Sequence, residues 1–79
     1  MALGFVLINT SPTYEHEVYS ELLREPKIFE VYPLFGEFDF ITKIEADNFE
    51  KLGEIIVNNI RSVKGVTDTK TLTVIKSFN

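Results

Sequence analysis

Cysteine is absent from this chain, which removes disulfides, thiolate metal sites and thiol catalysis together. A single histidine, His16, leaves little scope for a histidine-built metal centre. No apolar run approaches the roughly 18–20 residues needed to span a bilayer. The apolar start, M-A-L-G-F-V-L-I, has neither a basic leading segment nor an A-x-A-like cleavage site, so it is expected to be a strand and not a signal peptide. Cations are few and scattered singly: 8 Lys and Arg against 12 Asp and Glu give a formal net charge of −4. Nucleic-acid binding ordinarily needs clustered cations to neutralise phosphates, so direct DNA contact by this chain is not expected. A cytoplasmic location without membrane attachment is the expectation that remains.

What is present suits one small globular domain over residues 1–79, with 44% hydrophobic and 25% charged residues. A domain of this size buries only about 60–65% of its unfolded surface and often gains from oligomerisation.

Residues 2–9, A-L-G-F-V-L-I-N, form an apolar run of strand length. Leu3, Phe5 and Leu7 fall on one face, Val6 and Ile8 on the other, so both faces are expected to be covered. Ser11-Pro12 is a helix start signal, with a hydroxyl to cap and proline at the first helical position. Tyr14, Val18 and Leu22, with Tyr19 and Leu23 beside them, make an apolar helical stripe, and Pro26 stops it near Arg24. Residues 28–34 and 38–46 read as two strands joined through Phe35-Gly36-Glu37, with Gly36 at a positive φ and Pro33 where no ladder N–H is needed. Asp47-Asn48-Phe49-Glu50 fits a capping box with Asp47 as the cap. Phe49, Leu52, Ile56, Ile60 and Val63 then give the clearest helical spacing in the chain, and Gly65 suits the position after its end. Residues 66–78 read as a last strand.

Strand, helix, strand, strand, helix, strand is the βαββαβ, ferredoxin-like α+β plan, with two helices on one face of a four-stranded antiparallel sheet. Helices cover one sheet face only, so the second apolar face of the first strand predicts a sheet-to-sheet homodimer, a dimeric α+β barrel.

Two groups of residues could carry a function. Asp39 sits between Phe38 and Phe40, three residues after Gly36. It could bond back to the hairpin backbone or point to solvent; it could also bind an ammonium group, with amides around Gly36 taking the accompanying carboxylate. Thr67, Thr69, Thr71 and Thr73 alternate, which puts four hydroxyls on one strand face, either as a plain β ladder or as the lining of a polar pocket. Nothing in the spacing of the glutamates, serines or glycines argues for catalysis or a phosphate-cradling loop. No cofactor or metal is expected.

The hairpin F-G-E-F-D-F-I-T-K-I-E-A resembles the glycine-x-x-aspartate hairpin of the effector domain of Lrp/AsnC transcription regulators. G-V-T-D-T-K-T-L-T-V-I is similar to that domain's final, threonine-bearing strand, and element order and length agree along the chain. The resemblance implies the βαββαβ fold, sheet-to-sheet dimers, an octameric ring of four dimers, and an amino-acid effector bound between dimers. Carried onto this sequence, the ligand-binding residues are Gly36, Glu37, Phe38, Asp39, Thr69 and Thr71. Full-length family members carry an N-terminal helix-turn-helix domain, whereas this chain begins inside the first strand. A stand-alone effector domain is therefore expected, one that senses amino acids or co-assembles with full-length regulators. The competing readings are a small dimeric ferredoxin-like enzyme of monooxygenase or isomerase type, for which His16, Tyr14 and Tyr32 are the candidate residues, and an assembly module without a ligand. The ACT domain, another ferredoxin-like amino-acid sensor, usually accompanies an enzyme domain, and no such domain is recognisable in this sequence.

Overall fold

A computed structural model describes residues 1–75 of the chain. Four strands, β1 (Ala2–Thr10), β2 (Ile28–Pro33), β3 (Phe40–Ala46) and β4 (Val66–Val74), form one antiparallel sheet in the order β2-β3-β1-β4. Helix α1 (Glu15–Arg24) follows a 3-10 turn at Pro12–Tyr14. Helix α2 (Phe49–Ile55) runs on into a π-helical segment, Ile56–Arg61. This is the expected βαββαβ plan, with β1 and β3 in the centre and Pro33 on an edge strand where its missing N–H costs no ladder bond.

Burial alternates along β1, and it decides which face the helices take. Ala2, Gly4, Val6, Ile8 and Thr10 are buried beneath the helices, while Leu3, Phe5 and Leu7 are only half-buried on the open face. Val6, Ile8, Val18, Leu22, Ile44, Leu52 and Ile60 are at most 1% exposed, which identifies them as the centre of the core. Tyr19 of α1 stacks on Phe40 of β3, ring centroids 5.5 Å apart. The open face carries Leu72 and Val74 of β4 opposite Phe5 and Leu3, so an apolar strip crosses β1 and β4. Towards β2 the same face turns polar: Tyr32 donates to Glu30 (2.8 Å) and Lys43 pairs with Glu30 (3.6 Å).

Several local expectations are corrected. The cap of α2 is Asn48, whose Oδ1 accepts from the Lys51 N–H at 2.8 Å, not Asp47, so the Asp47/Glu50 box does not form. Ser11 makes no side-chain cap; its N–H donates to Gly65 (2.8 Å) and its carbonyl accepts from Tyr14. Leu23 and Phe49, placed on apolar stripes by their spacing, are each 57% exposed. The β2–β3 connection is the six-residue loop 34–39, longer than the three residues expected, so Phe38 and Asp39 precede β3 instead of opening it. The residues of the expected last strand beyond 75 lie outside the described residues.

Candidate functional site

The loop between β2 and β3 lies at one end of the sheet, beside the last residues of β1 and the first of β4. Gly36 adopts φ +142°, a region closed to most side chains, and lets the chain reverse. The Leu34 N–H donates to the Asp39 carbonyl at 2.8 Å and closes the loop. The Asp39 N–H in turn donates to the carbonyl of Ile8 at 2.9 Å, tying the loop to β1.

The Asp39 carboxylate binds neither its own hairpin nor bulk solvent alone. Its Oδ2 accepts from the Thr10 N–H at 2.8 Å and from the Thr10 hydroxyl at 3.2 Å. Thr10 is 8% exposed, so this contact gives a buried amide and a buried hydroxyl their partner at the end of β1. Oδ1 has no hydrogen-bond partner among the described residues, and neither do the backbone N–H groups of residues 35–38. Gly36 and Glu37 are exposed; Phe38 and Asp39 are half-buried. Phe35 stands fully in solvent at the loop tip.

On the far side of β1, Thr69, Thr71 and Thr73 lie opposite Ile8, Val6 and Gly4, on the helix-covered face. Thr67 leaves the series because the β1–β4 register shifts between Asn9 and Thr10, a bulge that breaks the alternation expected of the four hydroxyls. Thr69 is half-buried and Thr71 exposed. Both line a cleft of about 410 Å³ between β4 and the π-helical segment, floored by Ile56 and Val66 and bordered by Arg61 and Asp68. Asp68 Oδ1 accepts from the Thr69 N–H at 3.0 Å. Arg61 takes part in no ion pair among the described residues.

The hairpin group and the threonine group thus share one end of the sheet but not one cavity. Phe40 and Thr69 pair with Ile8 from opposite sides and the Asp39 N–H donates to the Ile8 carbonyl, so the Asp39 and Thr69 backbones stand about two strand spacings or roughly 10 Å apart. Sequence spacing gives no sign of Thr10 as the partner of Asp39, since the contact spans 29 positions and carries no local signature. Arg61 is equally silent, as a basic residue in a last helical turn already has a reason to be there.

Residues considered for catalysis do not converge. His16 is exposed on α1 and Tyr14 is half-buried beneath the Lys64 ammonium, 5.3 Å from its ring centre. Tyr32 is exposed, and its phenol is raised above the ordinary 10.0 by its hydrogen bond to Glu30, then by that carboxylate's charge. No group of three or more metal-ligating His, Cys, Asp or Glu occurs among the described residues, and no helix among them is long and apolar enough to cross a membrane. A larger cleft of about 530 Å³ at the opposite end of the sheet, near Lys27, Glu45 and Lys51, contains none of the candidate residues.

The family described as the Lrp/AsnC ligand binding domain matches residues 3–79. The HTH-type transcriptional regulator FL11 of Pyrococcus furiosus is 36% identical over 74 residues, covering 94% of this chain and 48% of that protein. The chain therefore spans about half the length of the curated regulators it matches. The crystal structure of FFRP-DM1 superposes with a TM-score of 0.88 at 35% identity, covering 95% of this chain and 100% of that one. A Neisseria meningitidis transcriptional regulator, solved as its L-Met complex, shares the fold at a TM-score of 0.83 and 16% identity, covering 99% of this chain and 52% of that one. A match that runs from the first strand to the last residue makes this chain a member of the Lrp/AsnC ligand binding domain family.

Proposed function

We propose that this domain senses a small α-amino acid and passes the signal to transcription regulation through its assembly with other copies. The observation that carries the reading is the fixed carboxylate of Asp39. Its N–H, its carbonyl and its Oδ2 are all held by neighbours, which leaves Oδ1 presented in one orientation at the sheet end. An oxygen held in this way suits an α-ammonium group, with the Gly36, Glu37 and Phe38 segment as the adjoining wall of the pocket. The hydroxyls of Thr69 and Thr71 complete the pocket. Because β1 stands between the two groups within one chain, we assign them to different copies, the hairpin of one dimer facing the threonine strand of the next. The amino-acid class is supported by the L-Met complex of the related fold.

In this reading the open sheet face pairs two chains, and four dimers close into an octameric ring. Full-length Lrp/AsnC regulators are the proposed partners, in the cytoplasm, and no enzymatic step or cofactor is involved. Asp39→Asn is the informative variant, since an amide oxygen still accepts from Thr10 while the charge is lost. Affinity for the responding amino acid, measured by calorimetry, should fall by about tenfold to a hundredfold, the worth of one charge-assisted hydrogen bond. Unchanged affinity in a folded Asp39→Asn protein removes Asp39 from the site.

A further inference from the structure

An α-amino acid carries a carboxylate as well as an ammonium, and the cleft beside the threonines holds one cation able to receive it. We infer that Arg61 is the carboxylate-binding residue of the effector site, an inference that rests on the amino-acid-sensing reading above. Three observations converge on it.

The cleft of about 410 Å³ lies within the size range of small-molecule sites, and Arg61 is the one cation among its lining residues. Ile56, which is 7% exposed, and Val66 supply its apolar lining, and the rest is polar: Thr67, Asp68, Thr69 and Thr71 beside the guanidinium. Arg61 has no carboxylate partner among the described residues, which it shares with Lys27, Lys64 and Lys70, but of these cations it alone lines the cleft.

The backbone supplies the placement. Arg61 closes the π-helical segment, directly after the fully buried Ile60, so the core contact of Ile60 fixes where the Arg61 stem leaves the helix. The π-helical segment that ends in Arg61 packs against β4, the strand of Thr69 and Thr71, and π turns are frequent at functional sites. A planar guanidinium can hold both oxygens of a carboxylate, while the threonine hydroxyls donate to the same group. Asp68 balances the charge of the cleft, which therefore suits a zwitterion better than a polyanion. The ligand's ammonium then points out of the cleft, towards the Asp39 of the facing copy.

The test compares free L-amino acids with their primary carboxamides, which keep the ammonium and the side chain but lose the negative charge. Binding is measured by thermal shift and calorimetry on the intact protein, starting from all twenty amino acids. Wild type should prefer the acid over its carboxamide by about tenfold or more. Arg61→Gln should abolish that preference, and Arg61→Lys, which keeps the charge but not the fork, should retain part of it. A full preference persisting in Arg61→Gln, or, should that variant not fold, undiminished in Arg61→Lys, overturns the assignment while leaving amino-acid sensing intact. Equal binding of acid and carboxamide by wild type overturns it as well. If no amino acid binds wild type, the inference fails together with the reading beneath it.

Discussion

Asp39 has two duties that pull on the same carboxylate. One oxygen finishes the hydrogen bonding of Thr10, and the other is available to a ligand. Asp39→Ala should therefore cost about 1–3 kcal/mol of unfolding free energy even without ligand, because it orphans a buried amide and hydroxyl. Asp39→Asn should cost clearly less, and equal losses in urea unfolding would show that charge and not hydrogen-bond completion is at stake. The sequence singles out Asp39 but hides its structural duty, since Thr10 lies on another strand and no spacing rule links the two. Tyr32 offers a pH-dependent counterpart on the open face. Its phenol is raised above 10.0 by Glu30, so the folded state holds the proton more tightly than the unfolded chain. Its contribution is complete below pH 10 and is lost as pH rises through the higher folded value. Tyr32→Phe should flatten the decline in stability above pH 10, and an unchanged alkaline decline would contradict that linkage.

At the scale of elements, periodicity is informative wherever burial is the deciding force. The β1 run, the Val18/Leu22 stripe and the Leu52/Ile56/Ile60 series all reach the core. Boundaries are less legible, because neighbouring residues of similar chemistry compete for one role. Asp47 and Asn48 are both good caps, and only the backbone geometry selects Asn48. Asn48→Ala should lower stability by about 1 kcal/mol, whereas Asp47→Ala, whose carboxylate is 3.9 Å from an exposed Lys51 ammonium, should change it by less than about half that. The reverse order would mean that the capping role belongs to Asp47 in solution. Gly65 is the stricter constraint, with φ +104° and a position where an added Cβ would collide with Tyr14 Cβ. Gly65→Ala should cost at least about 1–3 kcal/mol, the range for a strained backbone alone. Gly36→Ala carries the backbone penalty without a clash, since nothing lies within 4 Å of its added Cβ, and should be the milder of the two in thermal unfolding. The π-helical segment and the β4 bulge at Thr67 are invisible in the sequence, because the same apolar spacing fits α and π turns and the alternating threonines mask the extra residue.

For the whole molecule, the open-face strip of half-buried Leu3, Phe5 and Leu7 with exposed Leu72 and Val74 is the feature best suited to a partner. Burying each such side chain is worth up to about 1.5–3 kcal/mol, a large fraction of the stability of so small a domain. Phe5→Glu should reduce the light-scattering mass from a dimer or its multiple to that of a monomer, and a retained dimer would place the pairing surface elsewhere. The fold and the existence of this strip are legible from the alternation in β1, but the division of the candidate site between two sides of that strand is not. That division is also what would make effector binding depend on assembly. The most direct measurement is thermal unfolding of the assembled protein against each of the twenty amino acids at millimolar concentration. An effector present at about 100 times its Kd adds about 2.7 kcal/mol, which for a domain of this size is a rise of about ten degrees or more in Tm. Amino-acid sensing predicts a selective rise for one chemical class of amino acid, reduced in Asp39→Asn. A folded, assembled protein whose Tm responds to none of the twenty would contradict amino-acid sensing and leave an assembly module in its place.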